Sequence, residues 1–349
     1  MRTLLSALAI GIQVVLMLTL VGVSEGMLRD VAVRSRGTGA DILIKPPGSS
    51  ILTFSSGAMP EGIVNKVREL PHVAIATGSL VHQVGNAFDA IAGINLAEFN
   101  QMSGGFQYVE GGPFTAPDDI MIDQVYASQN NLHVGSTLKF GVSWHVTGIV
   151  VPGKMSRMFA NLKDVQDRYS AINQVSVIWV KVDAPKNIPA VVEELKNLLP
   201  DYGVWSVEDY VSIVSADNVP MLKDFTRVVI GIGAVIGFLV VFLSMYMAVL
   251  ERTREIGILK ALGASPGYVM GILLRETVLL AIAGMIAGIV LTYFARAMLT
   301  RFVPSFPTVM VYAWWPRAGL IALAAALIGA LYPGFKAARQ DPIEALSYD

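Results

Sequence analysis

Four stretches of the chain stay apolar over about the 20 residues that a helix needs to cross a bilayer. The first runs from Leu4 to about Val23 and the second from Val228 to Leu250, both without charge. The third runs from about Thr277 to Ala295. The fourth, Ala318 to about Tyr332, is short unless Trp314, Trp315 and Tyr332 serve as interfacial ends, as aromatic belts do. Between the first two spans lie about 200 residues of mixed polarity, enough for a domain. They hold most of the Asp, Glu, Asn and Pro and all four His. The pattern predicts a membrane helix in residues 1–24, an extracytoplasmic domain in 25–226, and three membrane helices in 227–349.

Within the middle region the periodicity changes. Ile63, Val64, Val67 and Leu70 form the apolar stripe of a helix over Pro60–Leu70, and His72–Ala76 follows as a strand. Ile188–Leu199 repeats this arrangement, with Val191, Val192, Leu195 and Leu199 on one side, a stop at Pro200 and a strand at Val204–Val207. Strand patterns at Asp41–Lys45 and Val175–Val182 precede the two helices. Two β-α-β units in one domain predict a split, ferredoxin-like α+β module. Asp119–Asp123 reads as a strand, Gln124–Asn131 as a short helix, and Gly135–Gly141 with Ser143–Val150 as a hairpin, which predicts a β-rich insertion.

Composition narrows the class. The chain has 349 residues, 54% hydrophobic and 15% charged, against about 25% charged in a soluble domain. Its net charge of −1 gives no pull toward nucleic acid. It has no cysteine, which excludes disulfides, thiolate metal sites and cysteine nucleophiles. The first apolar run is longer than the about 7–15 residues of a signal h-region, and no small-x-small site follows at Val23–Gly26, so a retained span is expected. Arg252, Arg254, Lys260 and Arg275 lie around the loop after the second span, Lys336 and Arg339 follow the fourth, and Arg2 precedes the first. Despite Arg296, Arg301 and Arg317 in the remaining loop, this bias places both termini and the 251–270 loop in the cytoplasm.

Candidate chemistry is sparse. His72, His82, His133 and His145 lack metal-ligand spacing, and Asp118-Asp119 follows Pro117 as a loop would. Ser49-Ser50 and Ser55-Ser56 have no base nearby in sequence. Met155 and Met158 flank Arg157 in a segment that reads as a loop, Gly153–Phe159, which either packs or meets an apolar partner or lipid. No catalytic, metal-binding or cofactor-binding residue is expected, and no Gly-x4-Gly-Lys-[Ser/Thr] loop is present to hold ATP. Gly233 with Gly237 and Gly284 with Gly288 are small-x3-small pairs, suited to packing within the chain or at a dimer seam. Arg275-Glu276 at the start of the third span reads as a snorkelling pair or a partner contact.

The segment Glu251-Arg-Thr-Arg-Glu-Ile-Gly-Ile-Leu-Lys-Ala-Leu-Gly-Ala264 follows the second span directly. Gly263 to Pro266 stops one helix and starts another, with Ser265 as N-cap and Pro266 at N1. By residues alone it reads either as a helix presenting Ala261-Leu262-Gly263 or as a positive-inside anchor. In the tail, Asp341, Pro342 and Glu344 form a capping-box pattern for a short terminal helix.

These two segments are similar to the two signatures of the MacB/FtsX family of ABC transporter permeases, type VII. The tail counterpart is Tyr332-Pro333…Arg339…Asp341-Pro342-Ile343-Glu344-Ala345-Leu346. A weaker similarity covers Gly112-Pro113-Phe114, Val134–Phe140 and Val146–Ile149. The resemblance implies a homodimer of four-span chains in the bacterial inner membrane, each with a periplasmic α+β domain of two ferredoxin-like (β-α-β) lobes and a β-rich insertion. It implies a separate cytoplasmic ATPase dimer that binds the ATP. In the coupling segment 251–268 it assigns ATPase coupling to Glu251, Arg252, Arg254, Glu255, Gly257, Lys260, Leu262 and Gly263. In the tail 336–349 and just before it, it marks Pro333, Arg339, Asp341, Pro342, Glu344 and Leu346. The expected role is non-enzymatic: ATP-driven closure is relayed to the periplasmic domains to export or extract a substrate, with a membrane-fusion protein as a further partner. Relatives often begin with a basic amphipathic helix, whereas Met1-Arg2-Thr3 here stands next to the span. The competing readings are a permease-like activator of a periplasmic enzyme, a membrane sensor, which lacks a signalling domain here, and a membrane hydrolase, which lacks a residue constellation.

Overall fold

The computed structural model describes residues 2–49, 57–85, 89–213, 220–303 and 306–339. It opens with one long helix, α1 (Arg2–Arg36). The helix continues past the apolar span because Ser24–Arg36 contains no proline and Gly26 as its one glycine. It stops at Gly37-Thr38-Gly39, where Gly39 takes a left-handed conformation, φ 71°. The described residues fall into two compact units. Met27–Val219 with Phe302–Pro307 form one, and the remainder form the other.

The first unit is built on a ten-stranded sheet. In chain order its elements are β1 (Ile42–Lys45), β2 (Met59–Pro60), α2 (Gly62–Arg68), β3 (Val73–Gln83), β4 (Ala90–Ile94) and α3 (Leu96–Ser103). Next come β5 (Tyr108–Gly111), β6 (Asp119–Asp123), α4 (Gln124–Asn130), β7 (Thr137–Phe140) and β8 (Val142–Val150). The last are β9 (Met158–Asn161), α5 (Leu162–Arg168), β10 (Gln174–Val175), β11 (Val177–Val182), α6 (Ile188–Leu198), β12 (Gly203–Ser206) and α7 (Val207–Ile213). The strand order is β12-β1-β11-β3-β4-β9-β6-β8-β5, with β7 also on β8 and β2 paired separately with β10. The strands of the expected insertion and those of the β-α-β units therefore share a single sheet.

Both faces of that sheet are covered, so its strands are apolar at successive positions rather than alternately. Ile42, Ile44, Ile120, Ile122 and Ile178 point to one core with Val67 of α2, Val165 of α5 and Leu195 of α6. Leu43, Met121, Trp179 and Phe159 point to the other, with Phe99 of α3 and Tyr210 of α7. Within Gly153–Phe159, residues 153–157 form the expected loop, whereas the last two residues belong to a strand. Met158 and Phe159 lie fully inside β9, between parallel β4 and antiparallel β6. Met155 is half-buried and accepts a hydrogen bond from Trp179 Nε1 at 3.0 Å, and Met158 and Phe159 are buried, so the segment packs on the domain.

Asp118 pairs with Arg168, whose guanidinium lies 4.5 Å from the Trp144 ring centre. Asp119 is buried at the start of β6. Burial opposes its charge, but the amides of Ala116 and Thr115, at 2.7 and 2.8 Å, and the Thr115 hydroxyl hold its carboxyl below the ordinary 3.8. A carboxyl lowered by folding stabilises the native state above its ordinary value and loses that contribution as pH falls through the folded value. Asp119→Asn is therefore expected to lower the unfolding midpoint at about pH 7, with the gap to wild type closing as pH falls below the ordinary 3.8. Thermal scans of the two proteins across that range check it.

The second unit contains the first part of α1 with α8 (Pro220–Glu251), α9 (Thr253–Ala261), α10 (Pro266–Phe302) and α11 (Trp314–Arg339). Helices α1, α8, α10 and α11 are each long and apolar enough to cross a membrane. Small residues let them approach closely. A Cβ on Gly284 would stand 2.7 Å from Ile10 Cβ, and one on Gly288 would stand 2.7 Å from Val14 Cβ and 2.8 Å from Gly11 O. Gly237 faces the Gln13 amide and Gly233 faces Gln13 and Met17 at ordinary contact distance. All four glycines thus lie against α1 of the same chain.

Candidate functional site

The segment between α8 and α10 is shaped by three local signals. Arg252 sits between two helices, with Thr253 Oγ1 donating back to Val249 O at 3.1 Å and Ile256 N to Arg252 O at 3.0 Å. Thr253, Ile256 and Gly257 form the buried side of α9, in a core shared with Val249, Val269, Leu273 and Ala337. The helix then closes on Gly263, φ 97°, with Leu262 N donating to Ile258 O and Ala264 N to Leu259 O, each at 3.0 Å. This left-handed glycine satisfies carbonyls that would otherwise be orphaned. Ser265 Oγ accepts from Tyr268 N at 3.2 Å and so caps α10, with Pro266 at its first position.

The result is a fixed turn with an apolar outer side. Leu262 is 81% exposed, and Ile258, Leu259 and Tyr268 are exposed beside it. Arg254 and Glu255 are exposed on the same short helix. The turn is braced from within. Arg252 Nη1 reaches Glu276 Oε2 at 3.2 Å. Lys260 Nζ donates to Ala338 O at 2.9 Å, which places a cation on the carbonyl end of α11. Lys336 Nζ donates to Tyr246 Oη at 3.2 Å.

Of the eight residues that the resemblance marks, Glu251, Arg254, Glu255, Leu262 and Gly263 are thus at the surface. Arg252 and Lys260 brace the turn, and Gly257 packs. In the tail, Pro333 is buried within α11 and Arg339 lies 4.0 Å from the Phe335 ring centre. Asp341, Pro342, Glu344 and Leu346 lie outside the described residues, as do Ser50, Ser55 and Ser56.

The histidines stay apart. His72 Nδ1 meets Asp183 at 2.9 Å, and His82 stacks on Tyr169 with ring centres 3.8 Å apart. Among the described residues no three His, Asp or Glu side chains come together as a metal site.

Sequence reasoning missed a second set of residues. At the end of α1, Arg34 is buried; its Nε donates to Asp30 Oδ2 at 2.7 Å and its Nη2 to Asp123 Oδ2 at 3.3 Å. Its Nη1 donates to Lys154 O at 3.3 Å. Arg157 Nη2 lies 4.0 Å from Asp30 Oδ2, and Asp123 N donates to Arg157 O at 2.7 Å. Asp123 is 1% exposed and uses its other oxygen to cap α4 at Tyr126 N, 2.7 Å away. Burial pushes its carboxyl up, against the pull of Arg34, the Tyr126 amide and Arg157. Burial, with Arg34 nearby, pushes the Arg157 guanidinium down.

Comparison with known proteins follows the same division. Residues 3–198 match the MacB-like periplasmic core domain and residues 227–342 the FtsX-like permease C-terminal domain. MacB of Salmonella typhi, named a macrolide export ATP-binding/permease protein, is 27% identical over 391 residues, 99% of this chain and 58% of that one. YknZ of Bacillus subtilis, named an uncharacterized ABC transporter permease, is 28% identical over 218 residues, 60% of this chain and 53% of that one. The chain spans about half the length of the curated relatives it matches. Among solved structures, the periplasmic region of MacB from Actinobacillus actinomycetemcomitans matches at 16% identity, 51% of this chain and 94% of that one, with TM-score 0.39. The extracellular domain of YknZ matches at 19% identity, 48% of this chain and 99% of that one, with TM-score 0.37.

Proposed function

The chain belongs to the MacB/FtsX-like family of ABC transporter permeases, and from that premise we propose that it couples ATP hydrolysis in a cytoplasmic ATPase partner to movement of its own sheet domain. That movement drives export or extraction of a substrate on the far side of the membrane. The chain performs no covalent chemistry, and ATP is bound by the partner. It works as a multi-pass protein of the bacterial inner membrane with both termini in the cytoplasm, paired with a second permease chain. A periplasmic membrane-fusion protein completes the route where the substrate must travel further.

One observation carries this reading: the apolar side chain of Leu262 stands 81% exposed at the tip of a braced turn. An exposed leucine on a flexible loop would lose entropy on docking. Here the left-handed Gly263, the Ser265 cap and the Lys260–Ala338 and Arg252–Glu276 contacts have already fixed the turn. Arg254 and Glu255 flank it with both signs of charge, which suits a partner groove with an apolar floor and a polar rim. The concentration of Lys and Arg around this loop supports a cytoplasmic placement, where an ATPase is available.

The test is affinity capture of the tagged full chain from detergent-solubilised membranes, with partners identified by mass spectrometry. An ATPase with a phosphate-binding Gly-x4-Gly-Lys-[Ser/Thr] loop is the expected result. Its absence under mild extraction overturns the proposal.

A further inference from the structure

The charges at the end of α1 are arranged in an unusual way for a helix that merely packs on a sheet. Arg34, Asp123 and Arg157 are largely withdrawn from water, with Arg34 and Arg157 side chains 11% exposed and Asp123 1%. Apolar side chains of the same size would hold a helix to a sheet at least as firmly, because buried ions lose their hydration. Buried ions do supply direction. If α1 slid or turned by one residue, Arg34 would leave Asp123 and the Lys154 carbonyl, Asp30 would leave Arg157, and Asp123 would lose Arg34 beneath the surface.

The backbone around the helix end reinforces that register. Gly37 packs so closely on the Gly153 carbonyl that a side chain at 37 would occupy the carbonyl's place. Gly39 does the same against the Met102 carbonyl at the end of α3. Thr38 is fully buried, with its hydroxyl donating to Ser35 O at 2.7 Å. Arg36 makes a two-pronged contact with Glu208 in the first turn of α7, Nε to Oε1 at 2.9 Å and Nη2 to Oε2 at 2.7 Å. The helix end is thus held against β6, the segment before β9, α3 and α7 at once.

We propose that Asp30, Arg34, Asp123 and Arg157 are positioning residues that fix the last turns of α1 in one register on the sheet domain, so that displacement of α1 is passed to the sheet instead of being absorbed at its end. This rests on the coupling role proposed above. It adds a named point at which movement enters the domain. The four residues touch no substrate, and their contribution is to deny the helix a second way of docking.

The experiment uses the full chain with its ATPase in lipid nanodiscs, followed by amide hydrogen exchange with and without ATP. Wild type, Arg34→Met, Arg34→Lys and Asp30→Asn are compared. Without ATP, Arg34→Met is expected to raise exchange in residues 27–39 about tenfold or more while strands β3, β4 and β11 keep wild-type protection. With ATP, the change in sheet-domain protection seen in wild type is expected to fall at least about fivefold, although the ATPase still co-purifies and hydrolyses ATP. Arg34→Lys, which keeps the charge but not the fork of donors, is expected to fall between the two.

A purely structural role would loosen the whole sheet, and that result overturns the proposal. So does an undiminished ATP response in Arg34→Met. If Arg34→Met fails to fold, Asp30→Asn carries the same comparison, since the Asp30 side chain is 30% exposed and tolerates an amide. A wild type with no bound ATPase and no ATP response refutes the coupling role itself. The exchange without ATP separates that failure from a failure of the register argument.

Discussion

Leu262→Asp is expected to leave the membrane unit folded and to weaken ATPase capture by about 30-fold or more, the loss of about 2 kcal/mol that marks the centre of an interface. The expectation follows from what the side chain touches. Leu262 is 81% exposed and is absent from the buried core formed by Ile256, Val249, Val269 and Leu273. Aspartate there removes no internal contact, and Leu262 donates only its backbone amide, to Ile258 O. In a docked state the same carboxylate would be buried without a partner, which costs more than the lost apolar contact alone. Thermal unfolding and gel filtration of the variant should match wild type, while co-purified ATPase and ATP-dependent activity should fall together. Wild-type coupling in Leu262→Asp would remove the tip of α9 from the partner interface.

The second large effect is expected inside the membrane unit. Gly288→Val places a branched side chain 2.7 Å from Val14 Cβ and 2.8 Å from the Gly11 carbonyl. Neither neighbour is the free end of a flexible side chain, so α1 must move away from α10. Over-packing of this kind costs about 1–3 kcal/mol and more where backbone is involved. A drop of roughly 5–10 °C in the detergent unfolding midpoint is expected. Gly233→Ala is the internal control, because its new methyl would meet Gln13 and Met17 at 3.7 Å, ordinary contact. It should stay within about 0.5 kcal/mol of wild type. Equal effects from the two substitutions would show that close approach to α1 is not what Gly288 provides.

The parts of this structure that could be read from the sequence are those set by local chemistry. Four long apolar runs suffice to place α1, α8, α10 and α11. The break at Gly263 and the restart at Ser265-Pro266 are encoded within four residues, and the hydrogen bonds follow that reading. The parts that escaped depend on distance along the chain. Arg34 and Asp123 are 89 positions apart, and nothing near either residue marks it as half of a pair. The strand β9 escaped for a different reason. Only four residues long and buried on both faces, it has neither alternation nor length to distinguish it, and the preceding Gly153-Lys154 and Ser156-Arg157 look like loop. The sequence shows strands but not their neighbours, so continuity of the sheet, which lies in pairings such as β4 with β9, could not be read from it.

The pairing of β1 with β12 has a consequence for biosynthesis. Ile42 is opposite Ser206 on one side and Val180 on the other, so the first strand of the domain is completed only by its last strands. As the chain emerges, β1 must wait, with its edges unpaired, until nearly all of the domain has followed. Long-range closure of this kind is slow, and an unpaired strand is open to pairing with the wrong neighbour. Newly made chains are therefore most vulnerable just before the second membrane helix is synthesised, and truncations upstream of Gly203 should yield a domain prone to aggregation.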